Sequence, residues 1–171
     1  MPNTTTAFHS IIRDLPNSSV APFEFGDAVL TISTTYGAIG LNVQHLVDSR
    51  PAGSVRRIEV PLRWPLKDEE LLKAVEESIV RDQSEEALSA RGGKGRVRLA
   101  VFDAVSSMPG VRLPWEKLVA LARRHNILTF VRALPQDIGG AQSYLRDNLS
   151  SFCLDRRCAL DWPDSARHQR G

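Results

Sequence analysis

Apolar residues follow two different spacings along this chain. Short apolar runs rich in β-branched residues, typical of buried strands, occupy residues 28–32, 54–60, 96–102 and 127–131. Elsewhere apolar residues recur every three or four positions, which predicts amphipathic helices over about residues 5–14, 36–47, 68–80 and 114–125. Residues 83–95 show neither spacing and contain several charged and glycine residues, so we expect a solvated loop there, with a frayed helical end as an alternative for part of it.

The order of these elements predicts the fold class. Strands that alternate with helices give an α/β fold with a mostly parallel sheet flanked by helices. The length of 171 residues fits one domain with a sizeable core. Periodicity weakens after residue 131, so we expect residues 132–171 to form a divergent, weakly structured tail, with a short helix near 141–149 and a strand near 152–154.

Charge and cysteine content narrow the function classes. The formal net charge of +2 is too small to indicate binding to nucleic acid or to an anionic membrane. Cys153 and Cys158, the only cysteines, have neither disulfide-framework nor zinc-site spacing, so free thiols in a reducing compartment are expected. The sequence shows no signal-peptide pattern and no apolar run near the roughly 20 residues that span a bilayer. We therefore predict a cytoplasmic protein without a metal site.

Polar side chains gather where the predicted sheet has its carboxyl edge, which is where ligands bind in open α/β sheets. Asp103, Ser106 and Ser107 end a strand, and they could either bind a ligand or form local turn hydrogen bonds. Tyr36 opens a helix after a strand and could stack on a ligand ring or simply pack. The threonines at 4–6 begin a helix and could hold a phosphate or only cap it. Their convergence on one edge favours the functional interpretation.

The glycine-rich segment at residues 92–95 invites comparison with a phosphate-binding loop. It lacks the full G-x-x-x-x-G-K-[ST] pattern and precedes a strand rather than following one. A mobile surface turn is therefore the better interpretation of this segment.

Three motifs resemble the class V aminotransferase family. NTTTA at 3–7 is similar to its phosphate loop, FGD at 25–27 with STTYGA at 33–38 to its second motif, and FDAVSSMPGVRLP at 102–114 to its third. The order and spacing of the motifs carry the resemblance, which covers about residues 2–131. Within the family, the chain looks most like fungal hercynylcysteine sulfoxide lyases and isopenicillin N epimerase-like proteins.

The resemblance implies a partial large domain of a fold that uses pyridoxal 5′-phosphate (PLP) and forms dimers with the active site at the interface. By motif position, Thr5 and Thr6 would hold the cofactor phosphate. Tyr36 would lie over the pyridine ring, and Ser107 and Asp103 would bond the side of the ring that carries the 3′-oxygen. The family's N-terminal segment and small domain have no counterpart in this sequence, so a truncated large domain is expected.

Two departures from the family pattern put the chemistry in doubt. The family follows its fourth strand with an Asp that pairs with the pyridinium nitrogen, and this chain has Arg132 after Val131. Ungapped counting places Cys158 where the family has the lysine that forms the Schiff base, and a thiol cannot replace that amine. No catalytic residue is therefore predicted, and PLP would bind non-covalently at best. The sharp end of the resemblance at Val131 would fit a changed reading frame or a retained intron.

Two functions remain open at this point. The chain could be a catalytically inactive relative of a PLP-dependent C–S lyase or epimerase. It could instead be a non-catalytic interaction module, forming a homodimer or a heterodimer with a full-length relative through an exposed apolar surface. A third outcome, a poorly folded product without function, would follow if apolar surface stayed uncovered.

Overall fold

The computed structural model describes residues 4–17 and 22–133. In chain order the elements are α1 (Thr4–Asp14), a 3₁₀ turn (Leu15–Asn17), β1 (Asp27–Ile32), α2 (Gly37–Asp48), β2 (Val55–Val60), α3 (Asp68–Asp82), α4 (Glu85–Ser89), β3 (Val97–Asp103), α5 (Trp115–Arg124) and β4 (Leu128–Arg132). This confirms the predicted α/β class. The predicted tail elements and Cys153 and Cys158 lie outside the described residues.

The four strands form one parallel sheet in the order β2-β1-β3-β4. Each connection between strands contains a helix, as parallel pairing requires. Because all four strands point the same way, their carboxyl ends lie along a single edge of the sheet. The turns that follow β1 and β3, and the end of β4, therefore lie at the same edge.

Two helical layers cover the two faces of the sheet. Alternate strand residues face opposite sides, so Leu99 and Val101 of β3 pack with α1 and α2, whereas Ala100 and Phe102 pack with α3 and α5. Phe8 of α1 is fully buried, and its ring centroid lies 4.6 Å from that of Phe130 in β4. The apolar residues between the sheet and each helical layer make up most of the core, and the contact between Phe8 and Phe130 positions α1 on β4.

The amino edge of the sheet is held by buried polar contacts. Asp27 accepts hydrogen bonds from the Arg96 amide at 2.8 Å and from Arg98 Nε at 2.7 Å. Gly95 has a φ of +83°, and a Cβ built on it would lie 2.1 Å from the carbonyl oxygen of Gly26. The glycine-rich segment therefore ends in a close backbone approach, which explains the glycine at 95 without any phosphate.

Several elements and element boundaries differ from the sequence-based expectation. The predicted loop at 83–95 contains the short helix α4, which begins after Ser84 because the Ser84 hydroxyl accepts the Ala87 amide at 3.3 Å. The predicted cap Asp68 is instead the first residue of α3, and Lys67 occupies the N-cap position. β3 extends to Asp103 and β4 to Arg132, so both charged residues belong to the sheet.

No helix within residues 4–17 and 22–133 is long and apolar enough to cross a membrane. Within the same residues, no group of three or more His, Cys, Asp or Glu side chains is arranged to hold a metal ion. The cytoplasmic location stays a prediction.

Candidate functional site

Three strands deliver polar residues to the carboxyl edge of the sheet. Asp103 ends β3 and Arg132 ends β4, and the two residues are direct partners in the parallel register. Tyr36 follows β1 through a short turn and is the N-cap residue of α2. Since β1 and β4 both pair with β3, Asp103 lies between the other two residues.

Asp103 is fully buried, and each of its carboxylate oxygens accepts a hydrogen bond. Oδ2 accepts the Tyr36 amide at 2.9 Å, and Oδ1 accepts Arg132 Nε at 2.6 Å. Burial raises the pKa of Asp103 above its ordinary value, and the hydrogen bonds and charge of Arg132 oppose that rise only in part. Asp103 therefore joins the start of α2 to the end of β4.

The Arg132 side chain contacts four residues at this edge. Its guanidinium carbon lies 4.7 Å from the centroid of the Tyr36 ring, a cation–π distance. Nη2 donates to the Val105 carbonyl and to Ser107 Oγ, at 3.3 Å each, in addition to the Nε bond to Asp103. The side chain is only 15% exposed. We call Tyr36, Asp103, Ser107 and Arg132 the Arg132 cluster.

The two serines of the loop after β3 have different roles. Ser106 is buried and makes local hydrogen bonds to Pro109 and Val111, so its hydroxyl closes the loop. Ser107 is exposed at the edge of the cluster, where its hydroxyl meets Arg132. The local-turn interpretation therefore holds for Ser106, whereas Asp103 makes long-range contacts instead.

Thr5 and Thr6 reach the same edge through the packing of α1 on α2. His9 Nδ1 and Asn42 Oδ1 are 2.7 Å apart, and each residue lies five positions after the first residue of its helix. Each helix therefore begins about 7.5 Å from this contact, measured along its own axis. The chain leaves α1 towards the amino end of β1, where the Phe23 amide donates to the Pro16 carbonyl, so the start of α1 faces the carboxyl edge.

The structure thus brings Tyr36, Asp103 and Ser107 into one cluster and places Thr5 and Thr6 at the beginning of a helix on the same edge. The sequence placed Arg132 where the family has its pyridinium-pairing Asp, but did not predict its contacts with Tyr36, Asp103 and Ser107. The signal for the ion pair was present as opposite charges directly after two consecutive predicted strands. Only the strand register shows that the two charges meet.

Comparisons with known proteins find relatives for this chain, although no family model matches it. It is 32% identical over 151 residues to "Putative L-cysteine desulfhydrase 1" of Oryza sativa subsp. japonica, covering 88% of this chain and 29% of that protein. It is 30% identical over 129 residues to "L-cysteine desulfhydrase-like protein lolT1" of Epichloe uncinata, covering 75% and 25%. The matched region therefore covers only 25% to 29% of the length of these relatives.

The match to the Oryza sativa protein bears on where the resemblance ends. A match of 151 residues in this chain necessarily includes residues after 131, so the resemblance to this relative does not stop at Val131. The 129-residue match to the Epichloe uncinata protein is about as long as residues 2–131, so a changed reading frame or a retained intron stays a prediction. The relatives are named L-cysteine desulfhydrases, so similarity to hercynylcysteine sulfoxide lyases or isopenicillin N epimerase-like proteins stays a prediction.

Solved structures share the fold of the described region. A mutant of C-DES with glycine covalently linked to the PLP cofactor matches with a TM-score of 0.57 at 16% identity, covering 77% of this chain and 29% of that one. The cysteine desulfurase CsdA from Escherichia coli matches with a TM-score of 0.54 at 11% identity, covering 79% and 28%. The parallel sheet and its helices therefore match part of a PLP-dependent transferase fold.

The side chains at the carboxyl edge fit only part of PLP. α1 begins at Thr4, and the positive end of a helix dipole together with threonine side chains suits a phosphate. The Arg132 cluster does not fit the pyridine ring, because both Asp103 oxygens already accept hydrogen bonds and a guanidinium covers Tyr36. A protonated ring nitrogen needs a carboxylate partner and would here meet a cation.

Proposed function

We propose that this chain derives from a PLP-dependent C–S lyase of the L-cysteine desulfhydrase kind and no longer catalyses PLP chemistry. Relatives named L-cysteine desulfhydrases and a fold shared with PLP-dependent proteins support the ancestry. One observation supports the proposed loss of activity. Arg132 forms a buried ion pair with Asp103 and covers Tyr36, where the resemblance calls for a carboxylate and a cofactor ring.

The chemistry explains why this substitution matters. PLP stabilises a carbanion because its protonated ring nitrogen draws electrons, and a carboxylate partner keeps that proton in place. A guanidinium at the same position favours loss of the proton, since like charges repel. An enzyme with this arrangement would lose the electron sink even if the cofactor entered.

The lysines offer no evident replacement for the missing Schiff-base residue. Lys73 pairs with Glu77 at 3.8 Å and Lys117 with Asp68 at 3.3 Å, both in the α3 and α5 layer, whereas Tyr36 begins the α2 layer. Lys67 precedes α3 and Lys117 lies in the first turn of α5, so both are at the carboxyl edge but on the face of the sheet opposite α2, whereas Lys94 lies beside the amino end of β3. By ungapped counting, Cys158 occupies the position of the family's Schiff-base lysine. A thiol cannot form a Schiff base, which supports the same proposal.

The proposed loss of activity can be tested by measuring sulfide release from L-cysteine in the presence of PLP. We expect no release above the background of free PLP, and no pyridoxyl-lysine after borohydride treatment and mass spectrometry. Sulfide production that depends on the chain, or a modified lysine at one position, would contradict the proposal.

A second candidate function is pairing with a full-length relative or with another copy of this chain. Exposed apolar residues favour it, because Met108 is 80% and Leu41 71% exposed and Val111 is also exposed. Co-expression with an intact L-cysteine desulfhydrase followed by size-exclusion chromatography would test this candidate. A complex that survives the column supports pairing, and separate elution of the two chains counts against it.

A further inference from the structure

We propose that Arg132 determines the ligand specificity of the carboxyl edge by excluding the pyridine ring of PLP. This inference deepens the proposed function and rests on it, because it assumes that the edge descends from a PLP site. It goes further by assigning to one side chain the exclusion of the ring, separately from the absence of a lysine.

The first step is occupancy of the Tyr36 ring face. The guanidinium carbon of Arg132 lies 4.7 Å from the ring centroid, within the separation at which planar groups stack on aromatic rings. A pyridine ring stacked on the same face would need the same space. The guanidinium and a cofactor ring therefore exclude one another on this face.

The second step is the strength with which Arg132 is held. Its backbone belongs to β4, its Nε bonds Asp103 and its Nη2 bonds two further oxygen atoms, so the planar group has little freedom. Moving it aside would leave the Asp103 carboxylate, which is fully buried, without its cation. Leaving a buried charge unpaired is costly, so a neutral or weakly bound ring cannot displace the side chain.

The third step is the loss of the carboxylate as a ligand group. One carboxylate oxygen of Asp103 accepts a hydrogen bond from the Tyr36 amide, and the other accepts one from Arg132. The Ser107 hydroxyl, which would bond the side of the ring that carries the 3′-oxygen, already accepts a hydrogen bond from Arg132. The polar atoms of the Arg132 cluster are therefore paired with one another, and within the described residues the start of α1 is where we expect the phosphate group of a ligand to bind.

Equilibrium dialysis with PLP and with inorganic phosphate tests this inference. The wild-type chain is compared with Arg132→Ala, and Arg98→Ala serves as the matched control. Arg98 is also a buried arginine paired with a buried aspartate, Asp27, but it lies at the amino edge of the same sheet. A double variant, Arg132→Ala with Asp103→Asn, removes the unpaired buried charge and keeps the test valid if Arg132→Ala fails to fold.

For the wild-type chain we expect PLP and inorganic phosphate to bind with equal affinity, because the ring adds nothing. Arg132→Ala, or the double variant, should bind PLP about tenfold more tightly than the wild type, with phosphate affinity unchanged. Arg98→Ala should leave both affinities as they are. Wild-type binding of PLP that is much tighter than binding of phosphate, or no gain in either Arg132 variant, would overturn the inference.

The two proposals fail in different ways. Sulfide release by the wild-type chain would contradict the proposed function, whatever the dialysis shows. Absence of a PLP gain in both Arg132 variants, with no sulfide release by the wild type, would leave the loss of catalysis standing. Only the role given to Arg132 would then be wrong.

Discussion

Asp103 and Arg132 are register partners at the last residues of β3 and β4, and Arg132 Nε lies 2.6 Å from Asp103 Oδ1. The pair is a consequence of the parallel register, because two neighbouring strands end in residues of opposite charge. It also joins the sheet to α2, since Asp103 accepts the amide of the N-cap residue Tyr36. One ion pair therefore organises the edge where this fold class binds its ligands.

Removing one partner of this ion pair should lower the free energy of unfolding considerably. Arg132→Ala leaves a fully buried carboxylate unpaired, so the free energy of unfolding should fall by about 3–5 kcal/mol. Adding Asp103→Asn should recover part of that loss, so the two effects will not add. Urea denaturation of the two single variants and the double variant measures the coupling.

The control for this cycle is Arg112→Ala, which removes an arginine from an exposed pair with Glu116. It should change the free energy of unfolding by no more than about 0.5 kcal/mol. If Arg112→Ala lowered the free energy of unfolding as much as Arg132→Ala, burial of the ion pair would not be what determines the loss of stability.

The pH dependence of stability should carry a signature of Asp103. Its pKa is raised in the folded state, so the folded protein binds more protons than the unfolded chain between the ordinary aspartate pKa and the raised one. The stability that Asp103 contributes is then fully present below the ordinary value and is lost as the pH rises through the raised pKa. Denaturation of wild type and Asp103→Asn across this range should show the decline in the wild type only.

The position of Thr5 and Thr6 depends on how α1 packs. Phe8→Ala removes a fully buried ring next to Phe130 and should lower the free energy of unfolding by about 3–5 kcal/mol. Leu41→Ala, at an exposed position on α2, should have little effect by the same denaturation assay. A mild effect at Phe8 would mean that α1, and the threonines with it, is not anchored as described.

Gly95 should tolerate no side chain. Gly95→Ala combines a positive φ with a Cβ placed 2.1 Å from the Gly26 carbonyl oxygen, so it should cost clearly more than Gly92→Ala. At Gly92 the φ is +68° and nothing lies within 4 Å, so only the backbone cost of about 1 kcal/mol is expected. Thermal denaturation of both variants separates the steric clash from the backbone conformation.

Hydrophobic spacing was sufficient to predict all four strands and the four longer helices. The short helix α4 was not predicted, because five residues are too few to show a periodicity and its stability comes from the Ser84 cap. The ends of β3 and β4 were each predicted one residue short, at 102 and 131 instead of Asp103 and Arg132. That error matters, since it left two charged residues outside the sheet that aligns them.

The candidate site could be predicted only in part for a related reason. Tyr36, Asp103 and Ser107 could be assigned to one edge because parallel strands share a carboxyl end. The contact of Arg132 with all three depends on register and on side-chain direction, which the sequence does not state. The sequence did indicate that an arginine replaces a carboxylate there, but not that the arginine is stacked on Tyr36.

The most direct test of the account is a titration of the wild-type chain with PLP, followed by absorbance and by melting temperature, beside an equal titration with inorganic phosphate. A ligand that binds only the folded state raises the melting temperature. If Arg132 excludes the pyridine ring, PLP and inorganic phosphate should raise the melting temperature by the same small amount, and no absorbance band of a lysine adduct should appear. A rise specific to PLP, accompanied by such a band, would contradict it.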